Sequence, residues 1–336
     1  MAPQIRGGFM KKIILLIASL GFTACSSSGG GGGNGVVPGS ELPELTSQQQ
    51  SRVVAVSSEL NDIDSVASSH GNSNTSNNFL MESNEAVNKT SPKGPSEKAT
   101  QLKHKMDSAI NFGQCNVNVK PNNMGSSADL NNQEFTMIIE NSVNSNECPI
   151  YYMSSSVTKT SGDPSSSSVV ETQMNMEFKA NNSTDISNTL DISSYKFNMT
   201  SKVSTTMQNQ TTAKMDISML GAGSLVSKSE GNIEMTMNMA GSGLISGDSS
   251  GNSNANINMS FTVDLKFSDF TVRGYQTMTL NNKNGELAQE AKYYINGKEV
   301  TEEEFSNIFQ SDFLTDATSE DGSVSSGNTN ESPASF

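Results

Sequence analysis

Several residue types that build catalytic sites are scarce in this sequence. Of its 336 residues, two are histidine, three are cysteine and none is tryptophan. His70 and His104 both lie in polar N-terminal segments, and the chain has no G-x-S-x-G elbow, H-E-x-x-H helix or P-loop. These absences argue against the common hydrolase, metalloprotease and nucleotide-binding classes. We therefore expect a protein that is not an enzyme and that uses no metal or other cofactor.

Basic and hydrophobic residues are also few. The chain has 21 Lys and Arg against 35 Asp and Glu, which gives a formal net charge of −14. Such an acidic chain repels the phosphates of nucleic acids, so no nucleic-acid partner is expected. Only 33% of the residues are hydrophobic. Much of the chain is therefore expected to form linkers, loops or a solvated sheet face.

One long apolar run is present, over residues 13–22. It follows the basic pair Lys11 and Lys12, and it leads into the tetrapeptide 22–25, Phe-Thr-Ala-Cys. The run is shorter than the roughly 20 apolar residues that span a bilayer. No later apolar stretch reaches the length of about 18 residues that indicates a transmembrane helix. The sequence therefore predicts a targeting signal and no membrane-spanning helix after it.

The basic pair, the apolar run and the tetrapeptide together resemble the signal peptide of bacterial lipoproteins. The resemblance covers residues 10–25, and it implies cleavage after Ala24 and acylation of Cys25 by diacylglycerol and palmitate. The implied partner is the lipid bilayer, and the implied location is the cell envelope. Ser26 follows the cysteine, and in this family a residue other than Asp there implies the outer membrane of a diderm cell. Removing residues 1–24 takes away three basic residues and no acidic one, so −14 becomes −17.

Composition divides the chain into five expected segments. They are a signal peptide (1–24), the lipidated cysteine with a flexible Gly/Ser tether (25–45), a helical segment with an Asn/Ser-rich loop (46–112), an antiparallel β domain (113–314) and a disordered tail (315–336). The tether prediction depends on a run of glycines, whose backbone entropy opposes ordering.

Two helices are predicted before the β domain. Residues 46–70 place apolar side chains at helical spacing, with Ser47 as the N-cap; these side chains are Val53, Val56, Leu60, Ile63 and Ala67. A second helix is expected over residues 97–110. The first helix either covers an apolar sheet face or forms a coiled coil with a partner, and fewer than three clean heptads favour the sheet face.

From Cys115 onward the apolar period changes from helical to two. The clearest run, residues 255–267, alternates apolar and polar residues without interruption, as in a strand buried on one face. At about 3.4 Å per residue this strand is roughly 44 Å long, so it must twist and curl. Asn296 and Gly297 predict a type I′ hairpin, and Thr301 with Glu304 predicts a capping box that opens a short helix.

These patterns predict a mainly β fold. We expect about ten strands in one large, curved antiparallel sheet, because short turns and no helical crossovers connect the strands. The N-terminal amphipathic helices and the short C-terminal helix are expected to cover its apolar concave face. This outline is similar in architecture, though not in any motif, to the half-barrel lipoproteins of bacterial envelopes.

The two remaining cysteines, Cys115 and Cys148, are an even pair in an expected oxidising compartment. A disulfide between them is the favoured interpretation, and two free thiols are the alternative. The strands near Phe135 and Ile150 should then be neighbours.

Methionine is unusually frequent, with 18 copies. Eight occupy predicted inward strand positions and are candidate ligand-facing residues: Met174, Met176, Met215, Met219, Met235, Met237, Met239 and Met259. They fit plain core filling, a plastic apolar cavity for an acyl chain, or Cu(I) binding by thioethers. Copper sites usually add His or Cys, and neither is nearby.

The leading functional hypothesis is a membrane-anchored, non-enzymatic envelope lipoprotein that binds or carries a hydrophobic or lipid ligand. One alternative is a structural or adhesive surface lipoprotein with a solid core, whose polar sheet face meets a partner. Another is a lipidated outer-membrane β-barrel, although a chain with six tyrosines and no tryptophan has few residues for aromatic girdles.

Overall fold

The computed structural model describes residues 37–72, 96–122, 133–141, 147–163, 166–181, 188–208, 212–247, 253–283 and 286–309. The helices in these ranges are α1 (Ser47–Asn72), α2 (Glu97–Asn111) and α3 (Glu302–Phe309). The strands are β1 Cys115–Asn122, β2 Gln133–Asn141, β3 Ile150–Asp163, β4 Ser167–Ala180, β5 Ile192–Met207, β6 Thr212–Ser227, β7 Gly231–Gly247, β8 Ser253–Lys266, β9 Thr271–Lys283, β10 Glu286–Ile295 and β11 Lys298–Val300.

The strands form one sheet in which sequence order is also spatial order, from β1 at one edge to β11 at the other. Every pairing between neighbours is antiparallel, and the sheet is not closed. The predicted fold class is confirmed. The sheet has 11 strands where the alternation pattern indicated about ten, since a strand as short as β11 leaves little pattern to read.

The central strands are long, and their length makes the sheet curve. β5, β6 and β7 contain 16, 16 and 17 residues, whereas a strand usually has about 5–6. The run predicted over residues 255–267 is β8, with 14 residues. Strands of this length accumulate twist from one end to the other. The sheet therefore curves around its apolar inner face.

Two glycines on the inner face of β6 make room for an aromatic ring from β5. The ring of Phe197 lies over Gly221 and Gly223, and a Cβ atom added to Gly221 would come within 2.4 Å of the ring's Cζ atom. At Gly223 the Cδ2 atom would be 2.9 Å away. Because neither position has space for a side chain, these glycines allow Phe197 to fold down over the neighbouring strand.

Thr46, the residue just before helix α1, is the N-cap of this helix. The backbone N–H of Gln49 donates to Thr46 Oγ1 at 3.2 Å, and the N–H of Thr46 donates to Gln49 Oε1 at 2.9 Å. The prediction of Ser47 as N-cap is therefore wrong, because Thr46 lies three residues before the glutamine that completes the capping box. The predicted apolar face is confirmed, with Val53, Val56, Ile63 and Ala67 buried.

The other two helices also begin at side-chain caps. Ser96 Oγ accepts from the N–H of Ala99 at 3.0 Å and opens α2. The predicted capping box of α3 is confirmed: the N–H of Thr301 donates to Glu304 Oε2 at 2.8 Å, and the N–H of Glu304 donates to Thr301 Oγ1 at 3.1 Å. These bonds satisfy N–H groups that have no partner within the helix.

The buried side chains form two clusters on the inner face. The larger one joins all three helices to the sheet, with Met106, Phe178 and Phe305 fully buried in it. The smaller one contains side chains from β6, β7, β8 and β9 only: Met215, Ile245, Ile257, Met259, Met278 and Leu280. The helices therefore cover part of the apolar face, and strand side chains alone bury the rest.

Arg52 fixes the start of α1 at one end of the sheet. Its Nη2 atom lies 2.5 Å from Glu230 Oε2 in the β6–β7 turn, and its Nη1 atom lies 2.8 Å from Asp269 Oδ2 in the β8–β9 turn. The guanidinium also lies 4.8 Å from the centre of the Phe270 ring. The hydrogen bonds that Arg52 donates to Asp269 and Glu230 raise its pKa above the usual range. The helix layer is thus attached to two turns at the same end.

The predicted disulfide between Cys115 and Cys148 is confirmed. It ties the first residue of β1 to the segment just before β3, and both cysteines are buried. The predicted pairing of the strands near Phe135 and Ile150 is also confirmed, since β2 and β3 are neighbours with Ile139 opposite Tyr152. The disulfide therefore links the β1 edge of the sheet, next to α2, to the residues that precede β3.

Cys148→Ser should destabilise the chain. The bond joins residues 33 apart, and a loop of this size is worth about 3.5–4 kcal/mol in the chain-entropy model. We expect the melting temperature to fall by about 10 °C, as measured by circular dichroism. The double variant C115S/C148S is the control. It should have the same melting temperature as Cys148→Ser, because neither variant can form the disulfide. If thiol alkylation of the unfolded, unreduced wild-type chain labels both cysteines, the disulfide does not form.

Candidate functional site

The first described residues connect the N-terminal part of the chain to the β10–β11 turn. Asn296 Oδ1 accepts from the N–H of Arg273 at 2.7 Å, and its Nδ2 group donates to the carbonyl of Pro43 at 2.8 Å. The predicted Asn-Gly turn is confirmed, with φ of 48° at Asn296 and 84° at Gly297. Residues 37–46 are thus held against this turn. Cys25, the predicted lipidation site, lies outside the described residues.

All eight candidate methionines lie on the inner face of the sheet. Four of them are buried: Met215, Met219, Met239 and Met259. The other four are half-buried: Met174, Met176, Met235 and Met237. The structure therefore divides the predicted set into buried core methionines and methionines that remain in part accessible.

The half-buried methionines belong to two neighbouring rows that cross five strands, β4 to β8. The first row is Met174, Met199, Gly221, Met237 and Val263, each residue paired with the next. The second row is Met176, Phe197, Gly223, Met235 and Leu265. Side chains that face each other on one side of a sheet touch across the strands. The rows therefore form one continuous apolar strip, which we call the methionine strip.

The methionine strip offers an adaptable apolar surface. None of its ten residues is charged, and methionine side chains are flexible enough to repack around ligands of different shape. Within the described ranges, no group of three or more His, Cys, Asp and Glu residues is arranged to hold a metal ion. The strip itself contains no His or Cys that could join thioethers around copper.

A carboxyl group on α1 contacts two buried tyrosines of the sheet, and sequence reasoning missed this cluster. The hydroxyl of Tyr195 donates to Asp64 Oδ1, and the hydroxyl of Tyr152 is also hydrogen-bonded to Asp64. Burial raises the pKa of Asp64 to about 6, although the two tyrosine hydroxyls partly oppose this rise. A signal was present: Asp64 lies four residues after Leu60 and three before Ala67, on the apolar stripe of the helix.

Two further acidic residues of α1 attach the helix to its surroundings. Glu59 is 4% exposed, and its Oε1 atom accepts from the backbone N–H groups of Asp191 and Ile192 at the start of β5. Asp62 accepts from Ser96, the cap of α2, and burial raises the pKa of Asp62. The position of α1 over the sheet is therefore set by specific polar contacts as well as by apolar packing.

The opposite, outer face of the sheet also has a concave region. A depression of about 650 Å³ crosses β5 to β9, and the side chains of Asn198, Leu220 and Thr236 are among those that border it. These residues alternate along their strands with those of the methionine strip.

No helix of the described part of the chain has the length and apolar character needed to cross a membrane.

Comparisons of the chain with models of protein families, with curated proteins and with solved structures found no match.

Asp64→Asn should change how stability depends on pH. The pKa of Asp64 is about 6 in the folded chain against an ordinary 3.8, so between these values the folded state holds the proton more tightly. The stabilising contribution of Asp64 is complete below its pKa in the unfolded chain, and it is lost as the pH rises through its pKa in the folded chain. Between about pH 4 and pH 7, the free energy of unfolding of the wild type should fall by up to about 3 kcal/mol relative to Asp64→Asn.

Urea unfolding across this pH range measures the effect. Asp216→Asn on the outer face is the matched control, because its side chain is 49% exposed, and its pH profile should run parallel to that of the wild type. Tyr195→Phe removes a hydrogen bond that lowers the pKa of Asp64. In this variant the fall in stability should therefore occur at a higher pH than in the wild type. Parallel profiles for Asp64→Asn and the wild type would contradict the assignment.

Proposed function

We propose that this protein is a lipid-anchored, non-enzymatic binding protein of the cell envelope that takes up a hydrophobic ligand on the methionine strip. The observation that carries this proposal is the half-burial of the five methionines in the two rows, most of which lie against the larger cluster. A solid core would bury these side chains as completely as it buries Met215 and Met239, which are 0% and 2% exposed.

The dimensions and chemistry of the strip favour an acyl chain as the ligand. Five strands at a spacing of about 4.8 Å give the strip a length of about 19 Å, which is comparable to an extended long-chain acyl group. Covering apolar surface stabilises a complex by about 25 cal/mol per Å². No charged side chain lies in either row, so the strip offers its contacts to hydrocarbon without the cost of desolvating a charge.

The anchor is proposed from the lipoprotein-like signal, with acylation at Cys25 and an outer-membrane location in a diderm cell. The contacts of residues 37–46 with the β10–β11 turn connect the N-terminal part of the chain to the β11 edge of the sheet. An anchor at Cys25 would therefore hold the described part of the chain to the bilayer from that edge, and the methionine strip would remain away from the attachment point.

A structural or adhesive role is the second candidate. The outer-face depression favours it, because binding sites are usually concave. The two roles use opposite faces of the same sheet. Substitutions on one face can therefore test one role without changing the other.

The ligand proposal predicts a difference between two adjacent substitutions on β4. Met174 is half-buried on the inner face, and Asn175 is exposed on the outer face. The mature chain, made with Cys25→Ser to avoid its own lipid, should bind a fluorescent fatty acid with a 1:1 ratio. Met174→Arg should weaken this binding by at least about tenfold because it places a charge against hydrocarbon, whereas Asn175→Arg should have no effect.

Native mass spectrometry of the same Cys25→Ser chain provides the second measurement. Lipid should be released from this chain and from its Asn175→Arg variant, and less of it from its Met174→Arg variant. If no lipid accompanies the Cys25→Ser chain and no fatty acid is taken up, the carrier proposal fails. If Met174→Arg binds as the wild type does, the ligand lies elsewhere.

The lipidation proposal is tested separately by Cys25→Ser. The wild-type chain should incorporate labelled palmitate and partition with membranes, whereas Cys25→Ser should incorporate none and remain unprocessed or soluble. An inhibitor of lipoprotein signal peptidase should cause the wild-type precursor to accumulate. If metabolic labelling marks nothing on the wild-type chain, the anchor proposal is wrong, whatever the methionine strip binds.

A further inference from the structure

The outer-face depression is bordered mainly by two neighbouring rows of residues on the side opposite the methionine strip, and also by Pro38 from the segment before α1. The first row is Asn198, Ala222, Thr236, Asp264 and Arg273. The second row is Leu220, Asn238, Thr262, Tyr275 and Tyr294. Eight of these ten side chains border the depression itself, and the two tyrosines continue the second row at its β9–β10 end. The rows place amides, hydroxyls and aromatic rings side by side.

Among the residues that border the depression, Arg273 and Asp264 are charged, and their opposite charges form an ion pair. Arg273 Nε lies 2.6 Å from Asp264 Oδ1, and Arg273 Nη2 lies 2.9 Å from Asp264 Oδ2. The remaining Nη1 group of Arg273 donates to Glu41 at 3.4 Å. Because the guanidinium already faces two carboxylates, it is a poor site for an anion. The acidic net charge of the chain, −14, adds to this preference against anionic ligands.

The uncharged polar groups can both donate and accept hydrogen bonds. Asn198 and Asn238 each supply an amide with two donors and an acceptor, and Thr236 and Thr262 each supply a hydroxyl. The Oδ1 atom of Asn238 is enclosed and accepts no hydrogen bond from the described residues.

Apolar and aromatic surface lies next to these polar groups. Tyr275 and Tyr294 are half-buried neighbours whose ring centres are 5.8 Å apart, and they continue the row that contains Asn238 and Thr262. Leu220, at the other end of that row, is 63% exposed. The rings offer a flat apolar face beside polar edges, which suits a ligand with alternating C–H and O–H groups.

We infer that this depression binds a neutral, linear oligosaccharide that lies across the strands. Successive strands are about 4.8 Å apart, close to the length of one sugar residue in an extended chain, so each strand can present one polar side chain to each sugar. Hydroxyl groups pair with Asn198, Thr236 and Asn238, and the C–H face of a terminal sugar packs on Tyr275. The inference is independent of the proposed fatty-acid ligand, which uses the opposite face.

Nuclear magnetic resonance titration of the soluble mature chain, with Cys25→Ser, tests this inference. The probes are the β-1,4-linked tetramers of glucose and of N-acetylglucosamine, and their disaccharides. We expect at least one tetramer to shift backbone resonances in the middle of β5 to β9, and to bind more tightly than its disaccharide because it spans more strands. Resonances of the smaller buried cluster, such as those of Met215 and Ile257, should not move.

Two pairs of substitutions distinguish a binding site from a general effect on the fold. Thr236→Arg fills the centre of the depression and should reduce the affinity by at least about tenfold; Ser242→Arg, on the same strand and the same face, should leave the affinity unchanged. Tyr275→Ala should weaken binding, and Tyr275→Phe, which keeps the ring, should restore it. Both Thr236→Arg and Ser242→Arg are at exposed positions, and the fatty-acid affinity of each should equal that of the wild type.

The inference is overturned if neither tetramer shifts any resonance, or if Thr236→Arg binds the tetramer as the wild type does. It is also overturned if the resonances of this face shift with protein concentration alone, because the depression is then an interface between two copies of the chain. None of these results bears on lipid uptake by the methionine strip, so the two proposals succeed or fail separately.

Discussion

Strand pairing in sequence order, over long uninterrupted stretches, is the constraint on which this structure depends. β6 and β7 pair from Thr212 opposite Ser246 to Ser227 opposite Gly231 without a shift in register. Because side chains alternate between the two faces, a shift of one residue would turn every apolar side chain of a strand outward. The register therefore keeps Met219 and Met239 in one inner row while their sequence neighbours Leu220 and Asn238 form an outer row.

The helices complete the structure without filling its inner face. Arg52 holds α1 to two turns at one end of the sheet, and Glu59 holds it to the start of β5. The Asp64 contacts with Tyr152 and Tyr195 add a polar link in the buried layer. These fixed points locate the helix layer over the larger cluster. The methionine strip lies against this cluster, and its methionines are half-buried.

Local signals in the sequence predicted much of this architecture. Asn296-Gly297, Thr301 with Glu304, and the alternation over residues 255–267 each determine their structure within a few residues, and each was confirmed. The inward direction of the eight methionines also followed from the period of two. The capping residue of α1 was assigned wrongly, because Thr46 and Ser47 are both acceptable caps and each is followed three residues later by a glutamine, so the sequence alone does not decide between them.

Features that depend on register across several strands could not be predicted. Asn238 and Tyr275 are 37 residues apart in the sequence, and they enter one row only because β7, β8 and β9 pair in a particular alignment. The contact of Asp64 with Tyr152 and Tyr195 likewise requires α1 to lie on β3 and β5. Alternation specifies which face a residue occupies, but pairing alone specifies which residues of other strands lie beside it.

We propose that the inner face of this sheet is an accessible apolar surface and not a closed core. Methyl resonances of ¹³C-labelled methionine test it most directly, during titration of the soluble mature chain with a medium-chain fatty acid. We expect the resonances of Met174, Met199 and Met237 to shift together and saturate, while those of Met215 and Met278 in the smaller cluster stay in place. Resonances of the methionine strip that do not respond at any fatty-acid concentration would contradict it.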